Sequence, residues 1–333
     1  MRRYKVLILT DHSTHTENNS LYGIASTLYK DARCQMAFVA SRGAEQNVNF
    51  FRTTTNADLH GQKITEDLAF EPTGEFFTKN LRTYSPGYFD LILLRLPRPV
   101  SDVFLLNLKT TFTGLPIIND PRGIITCSDK SFLLNFPSLC PPMRLCKSIQ
   151  EINEFSSKYE TVLKPLRDYG GRGILRITGE IINDGKSNYP QVEYLKSIKE
   201  NIENEGYLAM KYMKQVNKGD KRLIVVGREI IAASLRLPPE GSWLCNVALG
   251  GTATVASPSV EEYQMVEKLH PILMENGILI YGLDTLENDH GLRTLSEINA
   301  LSIGGIIQAQ EQTQRPILQM ITDKIFEYAD AQS

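Results

Sequence analysis

The sequence predicts an α/β chain of two or three lobes that opens with a parallel sheet. At 333 residues it exceeds what a single hydrophobic core usually holds. Its amino-terminal part alternates short apolar runs with helical stretches, the pattern of a parallel sheet. Near mid-chain a glycine-rich turn lies between two strand-like runs. That is an antiparallel flap, unlike the strand–loop–helix of a dinucleotide-binding turn.

Each element follows from local pattern. Tyr4–Leu9 reads as a buried strand ending in Thr10-Asp11-His12, and Leu21–Lys30 as a helix. Met36–Ala40 and Leu91–Leu94 are further buried strands, while residues from 42 to 80 are polar and read as irregular. Pro116–Asn119 is a strand end, and residues 1–119 form a first lobe built on a parallel sheet. A second lobe, 120–206, is predicted helical over Asp129–Asn135. Ser148–Ser157 is also helical, with Ser148 as N-cap and Glu151 three residues on. Thr161–Pro165 is a strand, Asp168–Gly173 a loop, Ile174–Ile177 the returning strand and Val192–Asn204 a helix. The third lobe, 207–333, has strands at Leu208–Met213, Leu223–Val226 and Glu229–Arg236. A helix over Val260–Asn276 stops at Gly277, and a last helix covers Pro316–Tyr328.

Composition excludes several classes. The apolar fraction is 42%, the charged fraction 22% and the net charge −2, so no global field favours nucleic acid or a membrane surface. Five scattered cysteines without a C-x-x-C pair read as reduced thiols rather than disulfides or a zinc site. The amino terminus is too short in apolar residues for a signal core, and no run approaches the ~18 that a membrane span needs. The expected location is the cytoplasm, with small molecules as partners.

The residues that carry chemistry lie late in the chain. Ile278–Tyr281 delivers Asp284, and a second short strand delivers Glu297 and Asn299, which as i and i+2 share a face. If the two strands pair, two carboxylates and an amide oxygen form a hard-oxygen patch suited to Mg²⁺ beside phosphates. The plain alternative is a set of strand-end polar residues capping turns. Gly170, Gly171 and Gly173 offer closely spaced backbone N–H groups, as a phosphate lid or merely as a β-turn. Lys164 sits inside an apolar strand, where its ammonium needs a partner or a route to water. Arg222 and Arg236 lie on consecutive strands and could reach one anionic centre. Lys130, a lone helical lysine, has the weakest independent case.

In chain order these residues form the layout of an ATP-grasp ligase. The chain resembles the bacterial glutathione synthetases over nearly its full length. The matching stretches are Val162-Leu-Lys-Pro, Gly170-Gly, Gly219-Asp-Lys-Arg, Leu235-Arg-Leu-Pro, Asn246-x-Ala-x-Gly-Gly251, Gly282-Leu-Asp and Glu297-Ile-Asn. The first lobe matches more loosely, through Asn19-Ser20 and Leu93-Leu94-Arg95.

This resemblance implies an ATP-grasp fold behind a Rossmann-like substrate domain over residues 1–119, with ATP between the second and third lobes. Lys130, Lys164 and the Gly170–Gly173 loop would meet phosphates, Arg172 adding a charge, with Asp220 close by. The backbone around Lys211, Tyr212 and Met213 would meet adenine. Asp284, Glu297 and Asn299 would hold Mg²⁺, with Mn²⁺ as the alternative. Arg222 and Arg236 would stabilise an acyl phosphate formed from γ-glutamylcysteine before glycine displaces phosphate. Asn19, Ser20, Arg95, Asn246 and Ser302 would touch substrate. Relatives also suggest a homo-oligomer.

Two departures stand out. Cys245 occupies the place where the family is expected to have arginine. Ala300–Gly305 replaces a Thr-Ser-Pro-Thr-like turn and keeps one hydroxyl, Ser302. A ligase for another amino-acid or peptide pair, or a non-catalytic ATP-binding module, are the alternatives. A dinucleotide-dependent dehydrogenase is disfavoured, since no G-x-G-x-x-G follows the first strand.

Overall fold

A computed structural model describes residues 2–52, 57–168, 170–245 and 250–332. Three sheets succeed one another along the chain. The first contains β1 (Tyr4–Thr10), β2 (Cys34–Ser41), β3 (Leu59–Lys63), β4 (Arg82–Tyr84), β5 (Leu91–Arg95) and β6 (Ile117–Ile118), in the order β4-β3-β2-β1-β5-β6. β1 runs parallel to β2 and β5, and β5 parallel to β6, as the apolar runs predict. Helix α1 (Ser20–Lys30) starts where the Asn19 side chain accepts from the Leu21 amide, at 2.9 Å.

The stretch read as irregular in fact holds α2 (Val48–Arg52) and the antiparallel strand β3, and β4 follows just beyond it. In β3, Leu59-His-Gly-Gln-Lys63, no apolar alternation announces a strand. Gly61 marks it instead, because a Cβ there would lie 2.0 Å from the Val39 carbonyl oxygen on β2. Helices α3 (Asp102–Thr111) and α4 (Pro121–Ser128) complete this part, followed by a 3₁₀ turn over Lys130–Asn135 where an ordinary helix is predicted.

The second sheet is antiparallel throughout. Its strands are β7 (Met143–Cys146), β8 (Thr161–Pro165), β9 (Leu175–Thr178), β10 (Ile181–Asn183), β11 (Asn188–Pro190) and β12 (Tyr207–Lys211). Helix α5 (Ile149–Ser156) has the predicted Ser148 cap, but Glu151 accepts from the Lys147 amide rather than closing the box on Ser148. The predicted helix over 192–204 divides at Ile198 into α6 (Gln191–Ser197) and α7 (Lys199–Asn204). This lobe buries its own core around Ile152, Leu163, Ile177, Leu195 and Ile202.

The third sheet has β13 (Asp220–Val226), β14 (Glu229–Leu237), β15 (Thr252–Val255), β16 (Ile280–Glu287) and β17 (Arg293–Asn299), ordered β15-β14-β13-β16-β17 and antiparallel. Helix α8 (Val260–Glu275) opens on a Ser259–Glu262 capping box and ends at Gly277, whose φ is +68°. Two further helices follow, α9 (Ile306–Thr313) and α10 (Ile317–Ala331).

The first and third lobes share one continuous core. α10 lies against the first lobe, where the Tyr4 hydroxyl donates to Asp330 at 2.6 Å and Arg33 sits 4.8 Å over the Phe326 ring. No described helix is long and apolar enough to cross a membrane.

Candidate active site between the second and third sheets

Register places the charged residues of the third sheet in adjoining rows on one face. Asp220 of β13 pairs with Arg236 of β14, and Arg222 of β13 pairs with Asp284 of β16. Asp284 in turn pairs with Glu297 of β17, and Gly282 with Asn299. Since i and i+2 share a face, Asp220 joins Arg222, and Glu297 joins Asn299. The sequence expectation that Asp284 meets Glu297 through strand pairing is therefore seen in the register.

Asp284 is the hub. Arg222 Nε lies 2.5 Å from its Oδ1, Arg222 Nη2 2.6 Å from its Oδ2, and Arg236 Nη2 3.0 Å from its Oδ2. Asn299 Nδ2 points at Oδ2 from 3.4 Å. Burial would raise the Asp284 pKa, but Arg222 and then Arg236 outweigh it and hold the carboxyl well below the usual range. Asp220 goes the other way. Burial first, and the neighbouring Asp284 charge second, push it up to about 6 against its contacts with Arg236.

Two lysines face this row from the second lobe and the turn before it. Lys164 is 7% exposed and donates to the Ser296 carbonyl at 2.9 Å. Burial pulls its pKa down, and Glu297 partly opposes that. Lys130, also buried, donates to the Asp168 carbonyl and lies 3.7 Å from Glu297. Lys130, Lys164, Arg222 and Arg236 thus gather beside Asp220, Asp284 and Glu297, four cations to three carboxylates. Such an excess suits polyphosphate.

Between the sheets lies a cleft of about 670 Å³, counting the open solvent at its mouth. Lys164, Gly171, Asp220, Asp284 and Glu297 line its polar end. Val162, Ile174, Tyr212, Met213 and Leu286 line its apolar end. Arg176 lies 3.9 Å over the Tyr212 ring and is itself ion-paired to Glu160.

The predicted residues fall as follows. Gly170, Gly171 and Gly173 all have positive φ, between +67° and +79°, and Gly173 has no room for a Cβ against Pro165. Arg172 is exposed on that loop. Lys211, Tyr212 and Met213 line the cleft, but the Lys211 and Tyr212 amides are committed to the carbonyls of Pro142 and Glu160. Lys211 Nζ also bonds Asp289 at 2.6 Å.

Arg95 and Ser302 share a separate cavity behind the site, at the seam of the first and third lobes. There Arg95 donates to the Ile303 carbonyl at 3.1 Å and Ser302 to the Leu96 carbonyl at 2.7 Å. The Arg95 Nε is shut from solvent without a partner among the described residues, and burial pushes the guanidinium down to about 10. Asn19 caps α1, and the Ser20 hydroxyl beside it is buried without a hydrogen bond among the described residues. Asn246 lies outside the described residues.

Three contributors were not singled out from sequence. Asn119, fully satisfied, donates to the carbonyls of Ile280 and Ala300 and accepts from the amides of Leu279 and Ile280, at 2.6–2.9 Å. It pins the start of β16 to the end of β17, and thereby the register of Asp284 against Glu297 and Asn299. An asparagine between Ile118 and Asp120-Pro121 was its only signal. Trp243, the single tryptophan, donates through Nε1 to Asn183 on β10 at 2.8 Å and lines the cleft. His15 belongs to a hydrogen-bonded chain beneath Arg95. The last two depend on distant partners that no local pattern displays.

The oxygen set fits a divalent cation. Asp284 is kept anionic, Glu297 stands opposite it, and Asn299 on the same face, whose Nδ2 now points at Asp284, would turn its amide oxygen to a cation. Among the described residues no three His, Cys, Asp or Glu side chains gather into a cage. The pattern suits an ion that takes its remaining ligands from phosphate and water.

Comparison with known proteins agrees in scope. Residues 129–314 match the family described as prokaryotic glutathione synthetase, ATP-grasp domain. The glutathione synthetase of Nitrosomonas europaea is 30% identical over 244 residues, 71% of this chain and 72% of that protein. That of Bradyrhizobium diazoefficiens is 28% identical over 240 residues, 71% and 72%. The crystal structure of the D-cycloserine synthetase DcsG superposes with a TM-score of 0.66 at 11% identity, covering 96% of this chain and 99% of that one. The D-alanine–D-alanine ligase of Bacillus anthracis, complexed with ATP, gives a TM-score of 0.61 at 11% identity, covering 99% and 100%. These likenesses establish the ATP-grasp fold.

Proposed function

From a chain that belongs to the prokaryotic glutathione synthetase family, an ATP-grasp ligase forming C–N bonds with ATP and a divalent metal, we infer that it joins γ-glutamylcysteine to glycine. The observation that carries this reading is the pair of rows Asp220–Arg236 and Arg222–Asp284–Glu297 on one sheet, facing Lys130 and Lys164.

The chemistry requires positioning and charge rather than a protein nucleophile. A carboxylate oxygen of γ-glutamylcysteine attacks the γ-phosphorus of ATP, the bond to the bridging oxygen breaks, and ADP leaves with that electron pair. The neutral glycine amine then adds to the acyl-phosphate carbonyl. Expulsion of inorganic phosphate and loss of the amine proton complete the amide. Lys130 and Lys164 hold phosphate oxygens, and the left-handed glycines at 170, 171 and 173 would offer backbone N–H groups to them. Arg222 and Arg236 meet the charge that develops on the acyl phosphate and on the tetrahedral species. Asp284, Glu297 and Asn299 would hold Mg²⁺, or Mn²⁺ in its place, which would offset phosphate charge. The five cysteines, all free and buried, suit a reducing cytoplasm.

The test is phosphate release from ATP and Mg²⁺ with γ-glutamylcysteine and glycine added singly and together. Release that requires both, with glutathione as product, is the expected result; none with that pair would discard it. A second reading, ligation of a different pair, rests on Cys245. Its thiol is buried in the cleft wall, 3.6 Å from the Val216 carbonyl, where the resemblance leads one to expect arginine. Release with another amino acid or dipeptide would select it.

A further inference from the structure

We propose that His15 is a positioning residue for the Arg95 end of the donor-substrate site, acting through Thr10. The proposal rests on reading Arg95 as a group that receives a donor carboxylate.

The chain of hydrogen bonds has one direction. Thr10 Oγ1 lies 3.1 Å from the Arg95 carbonyl oxygen, which can only accept, so the threonine proton is spent there. The same oxygen lies 3.0 Å from His15 Nε2 and must accept from it, which places the ring proton on Nε2. His15 Nδ1 then accepts from the Tyr22 hydroxyl at 3.0 Å. Tyr22, His15, Thr10 and the Arg95 carbonyl therefore form a single relay with a fixed tautomer. Phe77 and Tyr22 meet the imidazole edge to face, with ring centroids 5.4 and 5.5 Å away, and leave it little freedom to turn.

The relay ends where it matters. Thr10 and Arg95 are register partners at the carboxyl ends of the parallel strands β1 and β5, the place where open α/β sheets bind ligands. Among the described residues the Arg95 side chain makes one hydrogen bond, to the Ile303 carbonyl, and its buried Nε makes none. A cation so poorly partnered calls for an anion. Ile303 also borders the chemistry. A Cβ built on Gly282 would lie 3.5 Å from Ile303 and 3.6 Å from Arg222, so the Arg95 contact is one side chain away from the catalytic row. A shift of the β5 end would move the guanidinium, and small misplacements of bound groups are felt strongly in ligation.

Steady-state kinetics on the full chain, with ATP, γ-glutamylcysteine and glycine, decides the matter. Thr10→Val and His15→Ala should each raise the KM for γ-glutamylcysteine about five- to tenfold, the cost of one hydrogen bond. The KM values for ATP and glycine should stay within about twofold. His15→Gln, whose side-chain amide can donate to Thr10 in place of Nε2, should recover most of the loss. Arg95→Ala should raise the same KM about a hundredfold. Equal rises in all three KM values, or no rise in Thr10→Val and His15→Ala while Arg95→Ala shows one, overturn the proposal. No rise in Arg95→Ala overturns the reading of Arg95 itself. If His15→Ala does not fold, Tyr22→Phe removes only the outer hydroxyl and should raise the donor KM about two- to threefold; an unchanged value counts against the relay.

Discussion

Arg222 and Asp284 are cross-strand partners joined at two points, Nε to Oδ1 at 2.5 Å and Nη2 to Oδ2 at 2.6 Å. The carboxylate assigned to the metal and the guanidinium assigned to the acyl phosphate therefore hold each other in the ligand-free protein. A cation must share Asp284 with Arg222. We expect Mg²⁺ alone to bind weakly and Mg²⁺ with ATP to bind tightly, by calorimetry. Arg222→Lys, which loses the planar fork, should lower kcat by about 10²-fold or more while the KM for ATP moves little. A kcat within about threefold of wild type would remove Arg222 from the chemistry.

Lys164 is held at a cost to stability. It is buried in an apolar strand with its charge disfavoured, so Lys164→Met should keep or raise Tm, by about 2–4 °C. The same change should cut kcat/KM for ATP by about 10²-fold. A clear fall in Tm, followed by calorimetry, would mean that the lysine serves the fold instead.

Trp243, in the cleft wall, bonds Asn183 on the β9–β10 hairpin, and Leu244 packs where a Cβ on Gly185 would sit at 2.7 Å. As the single tryptophan it reports on this latch without background. ATP should shift its emission. Asn183→Ala should alter the unliganded spectrum and change the KM for ATP about fivefold. Emission indifferent to both would show that the latch does not sense the cleft.

His15 gives a pH signature. Burial, then the neighbouring charge of His12, lowers its pKa to about 4, with Asp11 opposing and Arg95 assisting. The unfolded chain takes up this proton at higher pH than the folded one. The stability it contributes is thus full above about pH 6.5 and is lost as pH falls toward 4. The Tm difference between wild type and His15→Gln should change across that window and be flat above pH 7. A difference that is constant down to pH 4.5 would exclude this titration.

Much of the site could be read from the chain because its logic is local. Glu297 and Asn299 share a face by strand periodicity, and three glycines within four residues mark a backbone that needs left-handed conformations. What stayed hidden depends on partners far along the chain. Asn119 acts on strands 160 residues away, and Trp243 on a hairpin 60 residues back. β3 escaped notice because an outer strand beside a polar neighbour carries no apolar alternation, and its Gly61 is explained only by the Val39 carbonyl pressed against it. The Ser148 cap was visible, whereas the choice of Lys147 over Ser148 by Glu151 was not.

The last helix has a consequence for how this molecule is made. α10 covers the first lobe through Tyr4–Asp330, Arg33–Asp323 and Arg33–Phe326, and its apolar side belongs to the core that includes β1. The first lobe is thus sealed by residues translated after all three sheets. The second lobe, with a core of its own, can settle earlier. Until Phe326 and Ala329 arrive, part of the amino-terminal apolar surface waits uncovered, and the nascent chain depends on whatever shields it in the meantime.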